Sequence, residues 1–367
     1  MTQELDRRTF MRRGALGAAG VVLLGNPVLA ACSSDKKTST SSSSGASSSK
    51  GNFGAYNFQL SWIKNVEFAG MYIADKQGYY IDEGFSSVNL ITGGPLVKQD
   101  ANVASKSGGA FMGTSDPIIT AAAINQGAKL IVVGAQYQKS PFCIMSRKAD
   151  GIPTAADMKG RRIGVQDTNL NIWNAFLAVN NLKQSDVTTV SVQFDPSELV
   201  ADSPTVDGWF SFITNEPIDL KKKGHDTVTF LLSDFGLPLA SQHYIVNTDE
   251  LAANRDKIKA ALKAEIRGWR DSIKDPAQGA HLAATDYGKD QNLDESEQTD
   301  ESKAQNDLIL NTDTKANGIF TITDDLVGKT IDSLGKAQQT ITKEKLYDLS
   351  LIKEVYAENP DLKVAPV

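Results

Sequence analysis

Between Phe58 and Tyr80 the chain changes period. Phe58, Leu60 and Trp62 alternate with Gln59 and Ser61, the two-residue repeat of a strand; from Phe68 the apolar positions fall at Ala69, Tyr72 and Ile73, the spacing of a helix. Asn65 is placed to cap that helix, Glu67 in its first turn suits the positive end of the helix dipole, and Gly78 is placed to end it. A strand that turns directly into a helix puts the turn at the carboxyl end of the strand, where open α/β sheets bind ligands. Trp62, Asn65, Glu67 and Phe68 are therefore candidate binding residues. The other reading of Trp62 and Phe68 is that they are core aromatics.

The pattern then repeats. It predicts a strand over 88–92, a turn at Gly93-Gly94-Pro95, a helix over 96–106, a buried strand over 109–113, a helix opened by Pro117 and capped by Ser115 or Asp116, and a strand over 130–134. Such βαβαβ order with short connections implies a mostly parallel sheet, with strand ends at Trp62, Thr92, Thr114 and Ala135 on one edge. Thr114, Ser115 and Asp116, and then Gln136, Tyr137 and Gln138, join the candidates. Between Gln136 and Asp157 the pattern loosens, which places a crossing to a second lobe there. A second alternation runs from Arg161 through a helix over 171–180 that carries Trp173, strands from Val187 and Val206, and a corner at Thr214-Asn215-Glu216-Pro217. There Asn215 is a good cap, and Glu216 and Pro217 suit a first turn, so the second lobe repeats the strand-cap-helix corner of the first. A last strand over 227–232 and the stretch from Asp234 return the chain, and Trp173, Asn215, Glu216 and Asp234 complete the candidate set. Beyond Leu251 helices dominate: Ile258, Ala261, Leu262, Ile266, Trp269 and Ile273 form one apolar stripe, and further helices are expected over 302–310, 324–338 and 343–356. The acidic run DESEQTDES from Asp294 reads as a solvated loop.

The first residues do not fit this alternation. Arg7 and Arg8 in DRRTFMRR, an apolar run over 15–24 and the ending Leu29-Ala30-Ala31-Cys32 read as a twin-arginine export signal over 1–31 that closes in a lipobox. The apolar run is too short for the ~20 residues of a membrane-spanning helix. Residues 32–53 then read as a lipidated Cys32 followed by a serine-rich tether, which would hold a globular body at the extracytoplasmic face of the cell membrane. The body divides into a first lobe over 54–143 and 240–367, with the C-terminal helices, and a second over 144–239.

The chain carries 38 Lys and Arg against 44 Asp and Glu, a net charge of −6. Residues 1–31 hold Arg7, Arg8, Arg12 and Arg13 against Glu4 and Asp6, so their removal takes the net charge to −8. That balance argues against nucleic acid and against an anionic membrane surface as partners. With Cys32 lipidated, Cys143 has no partner for a disulfide and reads as a small buried hydrophobe, a free reactive thiol being the other reading. His225, His243 and His281 are far apart in sequence and in no metal-ligand spacing, and no nucleophile elbow, Walker loop or dinucleotide fingerprint follows a strand. No catalytic, cofactor or metal role is therefore assigned. Two lobes joined by two crossings suggest a hinged binder, expected as a monomer.

The run from Trp62 to Tyr80, W-x-x-N-x-E-F-A-G-x-Y-x-A-x-x-x-G-Y-Y, resembles the opening of solute-binding proteins that feed importers with thiamine pyrimidine precursors, and of their riboflavin-binding relatives, an SsuA/THI5-like group. The resemblance continues through 136–141, 157–164, Asn215-Glu216-Pro217, the DFG at Asp234 and the terminal KEKLYDLSLIKEVY. It implies a two-lobed type II periplasmic-binding-protein fold, each lobe a doubly wound mostly parallel sheet, with a heteroaromatic ligand in the cleft between lobes. It further implies a permease and an ATPase of an ABC importer as partners. Pyrimidine synthases of the same superfamily use a histidine in the first helix and a cysteine-rich segment; here Phe68 stands at the histidine position and no cysteine cluster exists. The resemblance thus implies binding rather than catalysis, with the thiamine pyrimidine as the first expectation and a flavin as the alternative. Sulfonate and nitrate binders share the fold, but the expected cleft corners offer only Lys64 and Lys139 to an anion.

Overall fold

The computed structural model describes residues 51–363. The export signal, Cys32 and nearly all of the tether lie outside the described residues. Among the described residues, ten strands form two five-stranded sheets. The first contains β1 (Gly54–Gln59), β2 (Phe85–Ile91), β3 (Met112–Ser115), β4 (Leu130–Tyr137) and β10 (Ser241–Asn247), in the order β2-β1-β3-β10-β4. The second contains β5 (Phe142–Arg147), β6 (Arg162–Val165), β7 (Thr188–Ser191), β8 (Gly208–Phe212) and β9 (Thr227–Leu231), in the order β7-β6-β8-β5-β9.

In each sheet four strands point the same way and one runs against its neighbours, β10 in the first and β5 in the second. The reversed strands are the two that follow a crossing. A chain leaving β4 or β9 at the carboxyl ends of one sheet enters the other sheet from the same side, so its first strand there must run backwards. The crossings lie side by side, the Ser140 N–H donating to the Leu239 carbonyl at 2.8 Å. This geometry gathers the carboxyl ends of β1, β3 and β8 with the starts of β5 and β10 at one cleft. The sequence pattern showed no strand at 142–147, because Cys143, Ile144 and Met145 form an unbroken buried run without alternation.

The first corner forms as its residues suggest. Asn65 accepts the Glu67 N–H at 3.1 Å and opens a single 3-10 turn, Val66–Phe68, which runs into the helix Ala69–Lys76; Gly78, at φ 73°, ends it. That helix crosses the long helix Arg255–Lys274 at two glycines. A β-carbon on Gly70 would lie 2.3 Å from the Trp269 ring, and one on Gly268 would lie 2.0 Å from the Gly70 carbonyl oxygen. Tyr56, Phe58, Phe68, Tyr72 and Trp269 fill the core beneath this crossing.

Several expected elements differ. The helix expected over 96–106 begins only at Gln99, and the strand expected over 109–113 is displaced to Met112–Ser115 by a tight turn at Ser107–Gly109. The helix expected over 343–356 breaks into Lys343–Leu346 and Ser350–Glu358. The acidic run is not a loop: Glu295–Ile309 is a helix, capped by the Asp294 carboxylate on the Glu297 N–H, with its acidic start at the positive pole. Its inner face is polar, so no apolar stripe announces it. Gln298 accepts the Val66 N–H at 2.7 Å and Gln305 donates to the Val66 carbonyl at 3.0 Å, which satisfies the backbone of the first corner.

Candidate functional site

Between the lobes lies a cavity with about 530 Å³ of unfilled space measured out to its open mouth. After β1 the chain is irregular over 61–65, held by the Ser61 N–H on the Thr114 hydroxyl at 3.1 Å and the Gly93 N–H on the Trp62 carbonyl at 3.0 Å. This sets the half-buried Trp62 ring against the cavity. Phe142, Phe210 and Phe212 of the second lobe form the facing apolar wall, the Phe142 and Phe212 rings edge to face with centroids 4.6 Å apart. Around these rings stand Ser61, Gln99, Gln166, Asn169, Asn215, Ser241 and Gln242. No Lys, Arg or His lines this cavity among the described residues.

Three carboxyls do. Glu67 is buried and takes a hydrogen bond from the Gln242 amide, whose own oxygen accepts the Ser61 hydroxyl at 2.9 Å. Burial, and then the facing Glu216, push the Glu67 carboxyl up to about 8. Glu216 begins the helix Glu216–Lys222 and accepts the Phe212 N–H at 2.9 Å; burial outweighs that bond and pushes it up to about 7. Asp116 caps the helix Pro117–Asn125 through the Ile118 N–H at 3.0 Å and accepts the Ser241 hydroxyl at 3.2 Å; burial pushes it up to about 7 as well. Behind it Asp100 takes hydrogen bonds from Ser115 and Thr120, and burial raises it to about 6. With aromatic walls, amides and half-neutral carboxyls, the cavity suits a flat ring bearing N–H groups better than an anion.

The structure thus brings Trp62, Glu67, Ser115, Asp116, Asn215 and Glu216 together on the cavity. Asn65 and Tyr137 line a small recess behind Glu67 instead. Thr114, Gln136 and Gln138 are buried outside the cavity lining; the Gln136 amide donates to the Glu67 carbonyl at 3.1 Å and so supports the corner from behind. Four expectations need correction. Phe68 points into the core of the first lobe, because the residue at the turn-to-helix junction faces the sheet. Trp173 is buried in the other large core with its indole N–H on the Thr189 hydroxyl at 2.9 Å. Asp234 is exposed at a crossing and pairs with Lys139 at 3.2 Å. Asn215 does not cap: its side chain makes no cap bond and lines the cleft, while the Glu216 carboxylate satisfies the corner.

Sequence reading missed Phe142, Phe210, Phe212, Ser241 and Gln242. Only the last pair left a trace, two polar residues opening an otherwise apolar segment; Gln242 sits at φ 50°, a conformation that sequence does not announce. Cys143 is buried, with its sulfur 3.3 Å from the Ser211 hydroxyl, and burial raises its thiol well above the usual range.

Two curated relatives align with the chain. The riboflavin-binding protein RibY of Chloroflexus aurantiacus is 26% identical over 227 residues, 61% of this chain and 64% of that protein. A 4-amino-5-hydroxymethyl-2-methylpyrimidine phosphate synthase of Schizosaccharomyces pombe is 24% identical over 233 residues, 60% of this chain and 66% of that protein. The alignments therefore span just under two thirds of either relative's length. Among solved structures, the alkanesulfonate-binding protein SsuA of Xanthomonas axonopodis pv. citri bound to MOPS superposes with a TM-score of 0.59 at 15% identity, covering 80% of this chain and 98% of that one. The periplasmic nitrate-binding protein NrtA of Synechocystis PCC 6803 gives 0.58 at 14% identity, covering 85% and 91%. These likenesses show the two-lobed periplasmic-binding fold. The family model described as NMT1/THI5 like matches residues 65–279, more than half of the sequence, and the chain belongs to that family.

Proposed function

We propose that this protein is the extracytoplasmic solute-binding component of an ABC importer, tethered through Cys32, and that its solute is a nitrogen heterocycle of the thiamine-pyrimidine type. The observation that carries this reading is the meeting of Glu67 and Glu216, one from each lobe, beside Trp62 and a wall of phenylalanines in a cavity without a cation. A carboxyl accepts the exocyclic N–H of an aminopyrimidine and, when protonated, donates to the adjacent ring nitrogen, and the rings supply stacking worth roughly 0.5–1.5 kcal/mol beyond burial. A flavin is the second reading, favoured by the relative named as riboflavin-binding.

A thermal-shift panel of 4-amino-5-hydroxymethyl-2-methylpyrimidine, riboflavin, taurine and nitrate tests it. A ligand at 100 times its Kd adds about 2.7 kcal/mol to stability. The pyrimidine is expected to stabilise, and Trp62→Ala to weaken that effect. Stabilisation by taurine or nitrate in its place would refute the reading.

A further inference from the structure

Six residues other than glycine have positive φ among the described residues. Gln242, at φ 50°, is the one of the six that lies within a strand and the one that lines the cavity between the lobes. This backbone region is costly for a residue with a β-carbon and open to glycine. Gln242 is the second residue of β10, just after the second crossing, where a glycine would take the same path without that cost. A glutamine held there against its backbone preference points to work for its side chain.

Both ends of that side chain are engaged. The Ser61 N–H donates to the Thr114 hydroxyl oxygen at 3.1 Å, and the Thr114 hydroxyl donates to the Ser61 oxygen at 3.2 Å. The Ser61 hydroxyl donates in turn to the Gln242 oxygen at 2.9 Å, which leaves the Gln242 NH2 to donate to Oε1 of Glu67. A backbone N–H can only donate, so the chain runs one way, from the main chain of the first corner to the carboxyl. Turning the amide over would aim its NH2 at Ser61 and take the acceptor from the Ser61 hydroxyl. Gln242 and Glu67 are both buried, so bulk water does not make good a lost partner.

We propose that Gln242 is a positioning residue that sets the order of acceptor and donor which Glu67 shows to the solute. With the Gln242 NH2 on Oε1, that oxygen is an acceptor, and a proton on Glu67 resides on Oε2. The remaining lone pair of Oε1 is left for the exocyclic N–H of the solute, and Oε2 for its ring nitrogen. This role rests on the heterocycle reading above and adds to it the side chain that aims the carboxyl.

Thermal-shift titration of the full chain with 4-amino-5-hydroxymethyl-2-methylpyrimidine tests it. Gln242→Gly keeps the φ 50° backbone and removes the amide. Gln242→Asn also tolerates that backbone, but its amide is one methylene too short to join Ser61 to Glu67. Each variant should bind roughly tenfold more weakly or worse. Without ligand, Gln242→Ala should melt below Gln242→Gly, since both lack the amide and only alanine keeps the strained backbone; the reverse order would overturn the strain argument. Glu67→Ala separates positioning from direct contact with the solute and from a loosened corner. In that background Gln242→Gly has no carboxyl to aim, and should change affinity by no more than about twofold. Wild-type affinity in both Gln242 variants, or a loss that persists undiminished in Glu67→Ala, would overturn the positioning role and leave the heterocycle reading standing. Failure of the wild-type chain to bind the pyrimidine would overturn both.

Discussion

Replacing Glu67 by glutamine should remove a pH dependence that the cleft builds into the protein. The folded chain holds the Glu67 proton with a pKa of about 8, against an ordinary 4.5. Between those values the folded state binds more protons than the unfolded one, so stability falls as pH rises through this window; below it the group is neutral in both states and contributes no slope. At about 1.4 kcal/mol per pH unit the loss reaches on the order of 5 kcal/mol for a closed, dry site. Opening the lobes returns the carboxyl to water, which limits the loss to the free energy of opening. Glu216 and Asp116, each raised to about 7 by burial, act in the same direction. His243 opposes them. Its buried ring, depressed to about 3, favours folding above 6.5 and loses that contribution as pH falls through the interval below.

The wild-type profile is thus a sum, and the difference between wild type and Glu67→Gln isolates the Glu67 contribution together with its repulsion of Glu216. Glutamine keeps an oxygen that can accept from Gln242, so packing is preserved. Calorimetric melting of the ligand-free proteins from pH 5 to pH 8 should show the variant gaining on wild type as pH rises, by several degrees at pH 8, where each kcal/mol moves Tm by roughly 2 °C in a chain of this size. A difference that stays constant across that range would refute the reasoning.

Trp173→Ala should lower folding stability by about 3–5 kcal/mol, since it empties a buried core site and leaves the Thr189 hydroxyl without its donor, while ligand affinity measured below the melting range stays unchanged. Gly70→Ala should destabilise by ~1–3 kcal/mol or more in urea titrations, because the new methyl would sit 2.3 Å from the Trp269 ring at the crossing of two helices; a neutral result would show that the crossing has slack.

Local pattern was enough to read the first corner. The switch from period two to helical spacing, the Asn65 cap and the stop at Gly78 depend on neighbours within a few residues, and the folded chain uses them as such. The second corner was legible as a strand and a helix with Glu216 and Pro217 in the first turn. The placement of Trp62 and Glu216 on one cavity follows from strand ends converging, which the βαβ order implies. Side-chain direction was not legible. Phe68 and Trp62 are both aromatic residues of one corner, yet one faces the core and the other the cleft; five residues of irregular backbone and turn lie between them, and only their path fixes the two directions. Trp173 lies on a helix whose inner face follows from packing against the second sheet. The polar helix Glu295–Ile309 left no apolar stripe, because it docks through glutamines that satisfy the backbone of a segment more than 200 residues earlier. Phe142 and Gln242 reach the site through the two crossings. Sequence alone therefore determined where the corners lie and which acids they carry. Tertiary structure decided which acids share a cavity, because burial and charge proximity are properties of distance in space and not of spacing along the chain.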